Sequence, residues 1–342
     1  MNHQSRGTII QGVGGLYTIR LAASTDTPTP LDGKTISCRA RGVFRHEGTT
    51  PLPGDDVLIG YDDTALKTDE NGNVCATDDV SGSGIRIEDV LPRRNALIRP
   101  PMANLEVLFV SIAAAKPAPL LPTVDKLISI AEHNRIEPVI IIGKADLDPA
   151  RATELQSLYQ KAGFASFIVS CERGEGIEAV AQYVRDNVKD KIAAFAGASG
   201  VGKSTLMNRL FPSLSRMTGE ISQKNARGRH TTREVTLFAL SDLWPDCDGA
   251  TGYIADTPGF SLLDFTRFDF FEKDDLPLTM RDFAPYLGQC RYSDCTHLKE
   301  EGCAVLAAVR RGDIAPSRHE SFVSIYNDLK DKHPWSKMPS HH

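Results

Sequence analysis

The sequence predicts an α/β protein: a parallel sheet covered by helices on both faces, preceded by a small all-β region and followed by a mostly helical tail. Three observations carry this. Residues 1–100 read as short strands separated by polar turns rich in Pro and Gly. From Leu105 apolar strands alternate with helical stretches, the signature of a parallel sheet buried on both sides. From Phe265 the strand signal fades.

At 342 residues the chain can bury a real core and hold two or three domains. Apolar residues make up 41% and charged residues 24%, the balance of an ordinary globular protein. No apolar run reaches the ~18 residues of a membrane span. Met1 to Gly14 carries no apolar signal core, so no secretion is expected. The seven cysteines are an odd number, and three crowd between Cys290 and Cys303, which favours a metal over disulfides and a reducing cytoplasm. A net charge of −5 does not announce a nucleic-acid binder, yet the segment from Lys203 to Glu234 holds seven Lys/Arg against two Glu, a basic island in an acidic chain.

In the first hundred residues the strand candidates are Tyr17–Leu21, Lys34–Val43, Asp56–Gly60, Gly84–Val90 and Ala96–Arg99. About five short strands suggest a small barrel, of which the oligonucleotide-binding (OB) type is one. Over Cys38–Arg45 the odd positions read Arg39, Arg41, Val43, Arg45 and the even ones Cys38, Ala40, Gly42, Phe44, so strand periodicity puts a basic face opposite a small or apolar one. Such a face suits an RNA backbone, although a solvated outer face reads the same way.

The sheet candidates are Leu105–Ile112, Pro138–Ile142, Ser166–Val169 and Ile192–Ala196, alternating with helices near Val124–Asn134, Ala150–Ala162 and Gly176–Asn187. A strand pair, Glu234–Leu240 and Gly252–Ala255, follows. The expected divisions are a barrel over 1–100, a central domain over 101–265 and a helical domain over 266–342.

After the strand at Ile192 comes Gly197-Ala198-Ser199-Gly200-Val201-Gly202-Lys203-Ser204, then Thr205, at the start of a helix. This is the phosphate-binding loop: its glycines let backbone N–H groups turn inward around phosphate oxygens, and the helix N-terminus adds partial positive charge. Lys203 would reach the β- and γ-phosphates and Ser204 would ligate Mg²⁺. Asp256-Thr257-Pro258-Gly259 has the D-x-x-G form, with Asp256 a magnesium candidate and Gly259 a γ-phosphate contact. Gly143-Lys144-Ala145-Asp146 resembles the N-K-x-D element that selects guanine: a carboxylate at 146 accepts from guanine N1–H and the exocyclic amine, a pair adenine does not offer. The departure is Gly143, where an Asn amide would brace base and phosphate loop. Ser170-Cys171 resembles the S-A-K element.

The base-selecting element precedes the phosphate loop, by 57 residues from Asp146 to Lys203, the reverse of the usual order. The domain therefore reads as a circularly permuted P-loop GTPase, running from its D-x-x-G loop straight into the tail. In the tail, Cys290-x4-Cys295-x-His297-x5-Cys303 supplies three thiolates and an imidazole, a full tetrahedral set for a structural Zn²⁺.

With its OB-like region, permuted motifs, zinc segment and Gly228-Arg229-His230-Thr231-Thr232 loop, the chain resembles the ribosome small subunit-dependent GTPase family, RsgA or YjeQ, over nearly its whole length. Thr232 is favoured over Thr231 as the switch threonine completing the Mg²⁺ shell. Phe260 stands where Ras-like enzymes carry a water-orienting glutamine, so another group must place the water; His230 is the candidate, with a plain surface histidine as the alternative. Lys224, Arg227, Arg229 and Arg233 around it would dock RNA phosphates.

The resemblance implies GTP hydrolysis stimulated by the small ribosomal subunit, rRNA binding, a role in late subunit maturation, and a zinc segment that helps grip the ribosome. No membrane is expected as a partner, and the chain is expected to act as a monomer. Two rivals stay open: a nucleotide-switched RNA-binding module with incidental hydrolysis, and an ATPase, which Gly143 permits.

Overall fold

Five strands close the N-terminal barrel. They are β1 (His3–Val13), β2 (Leu16–Leu21), β3 (Thr35–Ala40), β4 (Asp56–Tyr61) and β7 (Arg86–Val90), in the order β1-β2-β3-β7-β4. The pair β3–β7 is parallel, the other neighbours are antiparallel, and β1–β4 closes the ring. Alternate residues Ile9, Ile19, Ile36, Cys38, Val57, Ile59 and Ile87 fill the interior. This computed structural model describes residues 3–22, 33–41, 44, 50–62, 66–68, 74–76, 84–218, 235–247, 249–256 and 271–330.

Three expectations change here. The barrel gains β1, unpredicted because its inward face holds little beyond Gly7 and Ile9, so the periodic apolar signal is missing. Ala96–Arg99 leaves the barrel: β8 (Ala96–Leu97) pairs instead with β9 (Met102–Ala103) in the connection to the sheet. The strand predicted to run to Val43 stops at Ala40, so Arg39 faces out from β3, Arg41 lies past its end, and Gly42, Val43 and Arg45 lie outside the described residues. Short β5 (Leu66–Thr68) and β6 (Val74–Ala76) form a separate hairpin. The connection is pinned by Arg93, whose guanidinium donates to both oxygens of fully buried Asp55 at 2.7 Å.

The sheet runs β12 (Ser166–Ile168), β11 (Glu137–Gly143), β10 (Leu105–Ala113), β13 (Ile192–Gly197), β15 (Tyr253–Asp256), β14 (Thr236–Ala239), and only β14 is antiparallel. The chain steps outward from β10 to β11 and β12, then returns to β13 on the far side of β10. Such a reversal opens a crevice at the carboxyl ends of the two strands it separates. On one face α1 (Leu121–His133) and α2 (Pro149–Lys161) cover Leu108, Val110, Ile140 and Ile142. On the other, α3 (Ile177–Asn187) and α4 (Lys203–Leu210) cover Val107, Phe109, Val139 and Ile141. The predicted helices agree to within a few residues. α2 begins where Asp148 accepts from the Arg151 N–H at 2.9 Å and Pro149 sets the first turn. Among the described residues no helix is long and apolar enough to cross a membrane.

The tail is helical as read: 3₁₀ turns at Leu276–Thr279 and Arg281–Tyr286, then α5 (Ala304–Arg311) and α6 (Pro316–Lys330). It does not hang free. Met280, Phe283, Phe322 and Ile325 share one core with α1, so Val124 to Ala131 are all buried, between sheet and tail. At the centre Arg318, fully buried, donates to Asp125 at 2.5 Å and Asp282 at 3.0 Å, and Lys126 pairs with Asp328 at 2.9 Å nearer the surface. Burial raises the Asp125 carboxyl while the Arg318 charge opposes that rise.

Removing one partner of a buried charge pair leaves the other uncompensated. Arg318→Ala should therefore cost about 3–5 kcal/mol, seen as a lower thermal midpoint and a tail newly open to protease; an unchanged melt would show that the cluster contributes nothing.

Candidate nucleotide pocket and metal centre

The carboxyl ends of β10, β11 and β13 carry three loops around a cavity of about 360 Å³. Its wall includes Gly143, Lys144, Asp146 and Cys171 from the base-selecting side and Val201, Gly202 and Thr205 from the phosphate loop. The structure thus brings together residues that stand far apart in sequence, at the edge the topology predicts.

Gly197 ends β13 with φ +150°, and a Cβ there would lie 2.3 Å from the Ser111 carbonyl oxygen, so no other residue fits without moving β10. The chain then turns into α4, whose first residues Lys203, Ser204 and Thr205 leave Ser204 and Thr205 exposed. The Lys203 ammonium folds back on its own loop, donating to the carbonyls of Gly197 at 2.7 Å and Ala198 at 3.0 Å. Burial lowers its pKa, an ammonium held where an anion would relieve it.

Asp146 is half-buried, and its carboxylate accepts from the Ser170 hydroxyl at 2.7 Å. That bond, helped by its own backbone N–H and by the Arg173 charge, holds its pKa below the usual carboxylate range. Ser170 is itself fixed: its N–H and C=O pair with Glu175, and its oxygen accepts from the Arg173 N–H at 3.2 Å. The Ala145 N–H donates to Val169 at 3.2 Å, tying the two loops together. Lys144, at φ +56°, sends its ammonium to the Lys116 carbonyl at 2.6 Å, on the loop after β10.

Asp256 ends β15, one strand beyond β13, and burial alone raises its carboxyl, as for an anion short of a counter-charge. Its carboxylate and the exposed Ser204 hydroxyl are both hard oxygen donors, the kind a Mg²⁺ ion takes. His230, Thr231, Thr232, Gly259 and Phe260, and the basic residues Lys224, Arg227, Arg229 and Arg233, lie outside the described residues. The barrel docks beside β14: Arg20 grips Asp242 through two bonds of 3.1 and 3.3 Å, across a cleft that Met217 and Thr236 also line.

In the tail the ligand atoms of Cys290, Cys295, His297 and Cys303 all lie within 4.8 Å of one another. The Cys290 and Cys303 sulfurs are 3.9 Å apart, and the His297 Nδ1 is 3.5 Å from each. A tetrahedron with metal–sulfur bonds of ~2.3 Å has edges of ~3.8 Å, so the four residues fit a metal ion. Backbone N–H groups at the start of α5 point at two sulfurs, Ala304 to Cys290 at 3.3 Å and Leu306 to Cys303 at 3.4 Å, which favours thiolates. The loop is shaped by Glu300, whose carboxylate accepts from the Thr296 hydroxyl and from the N–H groups of Thr296, Leu298 and Lys299. Burial works against that charge, but these donors win and bring its pKa to about 2.

Three residues escaped sequence reasoning. Ser111 lines the pocket from within β10; its only signal was one polar residue inside the apolar run Leu108–Ile112. Lys116 meets Lys144 only through tertiary packing, and Glu300 looked like any surface acid.

Comparison with known proteins places these features in company. The profile of the family described as RsgA GTPase matches residues 90–266, and that of the RsgA N-terminal domain matches residues 6–66. A Ruminiclostridium cellulolyticum protein named small ribosomal subunit biogenesis GTPase RsgA is 34% identical over 325 residues, 95% of this chain and 94% of its own. The crystal structure of YjeQ from Thermotoga maritima is similar with a TM-score of 0.72 at 29% identity, covering 97% of this chain and 100% of that one. YloQ, titled a circularly permuted GTPase, is similar with a TM-score of 0.69 at 28% identity, covering 97% of each chain.

Because Glu300 organises the loop between ligands, Glu300→Ala should weaken metal retention about tenfold with all four ligands intact. Competition against a chromogenic chelator measures this; retention equal to the wild type would remove Glu300 from the site.

Proposed function

The chain belongs to the RsgA GTPase family, and on that premise we propose that it binds and hydrolyses GTP in the pocket at the β10/β13 crevice, stimulated by the small ribosomal subunit. It would serve as a late maturation factor for that subunit, binding its rRNA. The observation that carries the chemistry is the meeting of Asp146, held ready by Ser170, with the phosphate loop around one cavity.

Backbone N–H groups of Gly197–Ser204 and the start of α4 would hold the phosphates, with Lys203 leaving the Gly197 and Ala198 carbonyls for the β- and γ-phosphate oxygens. Asp146, Lys144, Ala145, Ser170 and Cys171 would recognise the guanine. Ser204, Thr232 and Asp256 would hold Mg²⁺, which when bound neutralises charge on the β- and γ-phosphates. Gly259 would contact the γ-phosphate. Phe260 has no group to orient water, so His230 would place or deprotonate it. Cys290, Cys295, His297 and Cys303 would hold one structural Zn²⁺, leaving no open position for chemistry. The divisions 1–100, 101–265 and 266–342 would be the barrel, the permuted GTPase domain and the zinc-binding domain. The relatives' function suits a cytoplasmic protein.

The second reading is a nucleotide-switched RNA-binding module in which hydrolysis is incidental, and Phe260 is the feature that favours it. Turnover with and without purified small subunits separates the two. On the enzyme reading subunits raise GTP turnover strongly, and His230→Ala loses about 10²–10⁴-fold of it while binding survives. Absence of stimulation by subunits leaves the switch.

A carboxylate that accepts two bonds from guanine sets base choice. Wild type should bind GDP far better than ADP, and Asp146→Asn should lose most of that preference in a competition titration; equal binding of both nucleotides by wild type would sink the guanine assignment and leave an ATPase.

Removing the zinc should loosen the tail more than it lowers intrinsic turnover, because the ion lies in the tail and outside the pocket. Limited proteolysis beside a GTPase assay, each with a strong chelator, tests this; loss of both together would place the ion in the chemistry.

A further inference from the structure

Resting on the guanine-nucleotide reading of this pocket, we propose that Ser111 takes over the bracing role of the asparagine side chain that Gly143 lacks, by holding a water molecule between the base loop and the phosphate loop.

Gly143 has no side chain where an amide would join the two loops. A Cβ built on it lies 3.3 Å from the Val201 carbonyl oxygen and 3.6 Å from that of Ile112. An amide at this position would thus meet two acceptors, one in the phosphate loop and one on the end of β10. Each carbonyl has two lone pairs, so pairing within the sheet does not exhaust it. Ser111 faces the same cavity. It stands two residues before Ala113, the partner of Gly143 across the β10–β11 pair, and directly opposite Gly197 across the β10–β13 pair. Its hydroxyl is buried, at 4% exposure, and has no hydrogen-bond partner among the described residues. A buried hydroxyl in that position needs a ligand.

Two carbonyl acceptors and one hydroxyl around an open volume make a water site with three bonds: the water donates to Val201 and Ile112 and accepts from Ser111. Ile141 and Val169 add apolar surface to the same cavity. The water links the backbone of Val201, inside the phosphate loop, to the strand end that presents Lys144 and Asp146. The link stiffens the pocket before nucleotide arrives and so sets guanine-nucleotide affinity.

The test is a cycle of four proteins titrated with fluorescent GDP and, in competition, ADP: wild type, Ser111→Ala, Gly143→Asn, and the double variant. Ser111→Ala should weaken GDP binding about three- to tenfold. Gly143→Asn puts the amide where the water sits; the position has no positive φ, and the Val201 carbonyl needs to yield only a few tenths of an ångström. In that background Ser111→Ala should cost less than about twofold. If wild type prefers GDP but Ser111→Ala costs the same in both backgrounds, this inference falls and the guanine reading stands. If wild type binds GDP and ADP alike, the guanine reading falls and takes the inference with it. Should Ser111→Ala not fold, a high-resolution crystal structure of the wild-type GDP complex decides. Density for a water within hydrogen-bond distance of Ser111 Oγ and the Val201 oxygen upholds the proposal, and a dry cavity overturns it.

Discussion

The site depends on the register of one strand. β10 pairs Ala113 with Gly143 on one side and Ser111 with Gly197 on the other. Both neighbouring strands therefore run out at the same edge within two residues of each other along β10, each ending in glycine. That places the base-selecting loop and the phosphate loop a few ångströms apart, although 57 residues separate Asp146 from Lys203. Since side chains alternate with period two, a one-residue slip of β10 would turn Ser111 and its neighbours to the opposite face and part the loops. Nearly complete burial of β10 and β13 is what prevents that slip.

This explains why reversed motif order costs the pocket nothing. A parallel sheet fixes strand ends in space through pairing and side-chain burial, and the connections only need to be long enough. Here the link between the two halves runs from β12 through α3 to β13, across the face that α3 and α4 share with Val107 and Phe109. The chain enters β10 from the barrel and leaves β15 toward the tail, so the permutation puts both flanking domains on strands that bear the site.

Much of this was legible in the sequence for a physical reason. Continuous apolar runs such as Val139–Ile142 and Ile192–Ala196 can only be buried parallel strands, and Gly-rich or Asp-bearing ends follow each of them. The cluster of Cys290, Cys295, His297 and Cys303 was legible because cysteines and a histidine at that spacing have few uses besides holding a metal. What stayed hidden lacks local pattern. β1 is mostly polar because only one alternate face meets the barrel core, and that face includes Gly7. Arg318 looked like a surface residue of a helix; only the fold sets it between Asp125 and Asp282. Ser111 was visible as a letter and not as a problem until burial showed its hydroxyl unpartnered. The loops with His230, Thr232 and Gly259 were read from motif alone and lie outside the described residues.

The docking of the tail bears on how nucleotide state reaches it. The sequence suggests a direct pull, since Asp256 leads on to the tail. The packing adds another route. α1 is buried between sheet and tail along eight consecutive residues, Val124 to Ala131, and also links the carboxyl end of β10 to β11, the strand that leads to Gly143, Lys144 and Asp146. Phe271 packs at a tilt against His133 at the end of the same helix, with ring centres 5.4 Å apart. Moving the tail alone would expose that buried face and separate Arg318 from Asp125, both at high cost. A force on the tail is therefore passed to α1, and through α1 to the strands whose ends form the pocket. The Cys290–Cys303 segment and the loop that carries Lys144 and Asp146 are thus joined through one packed core, with α1 between them.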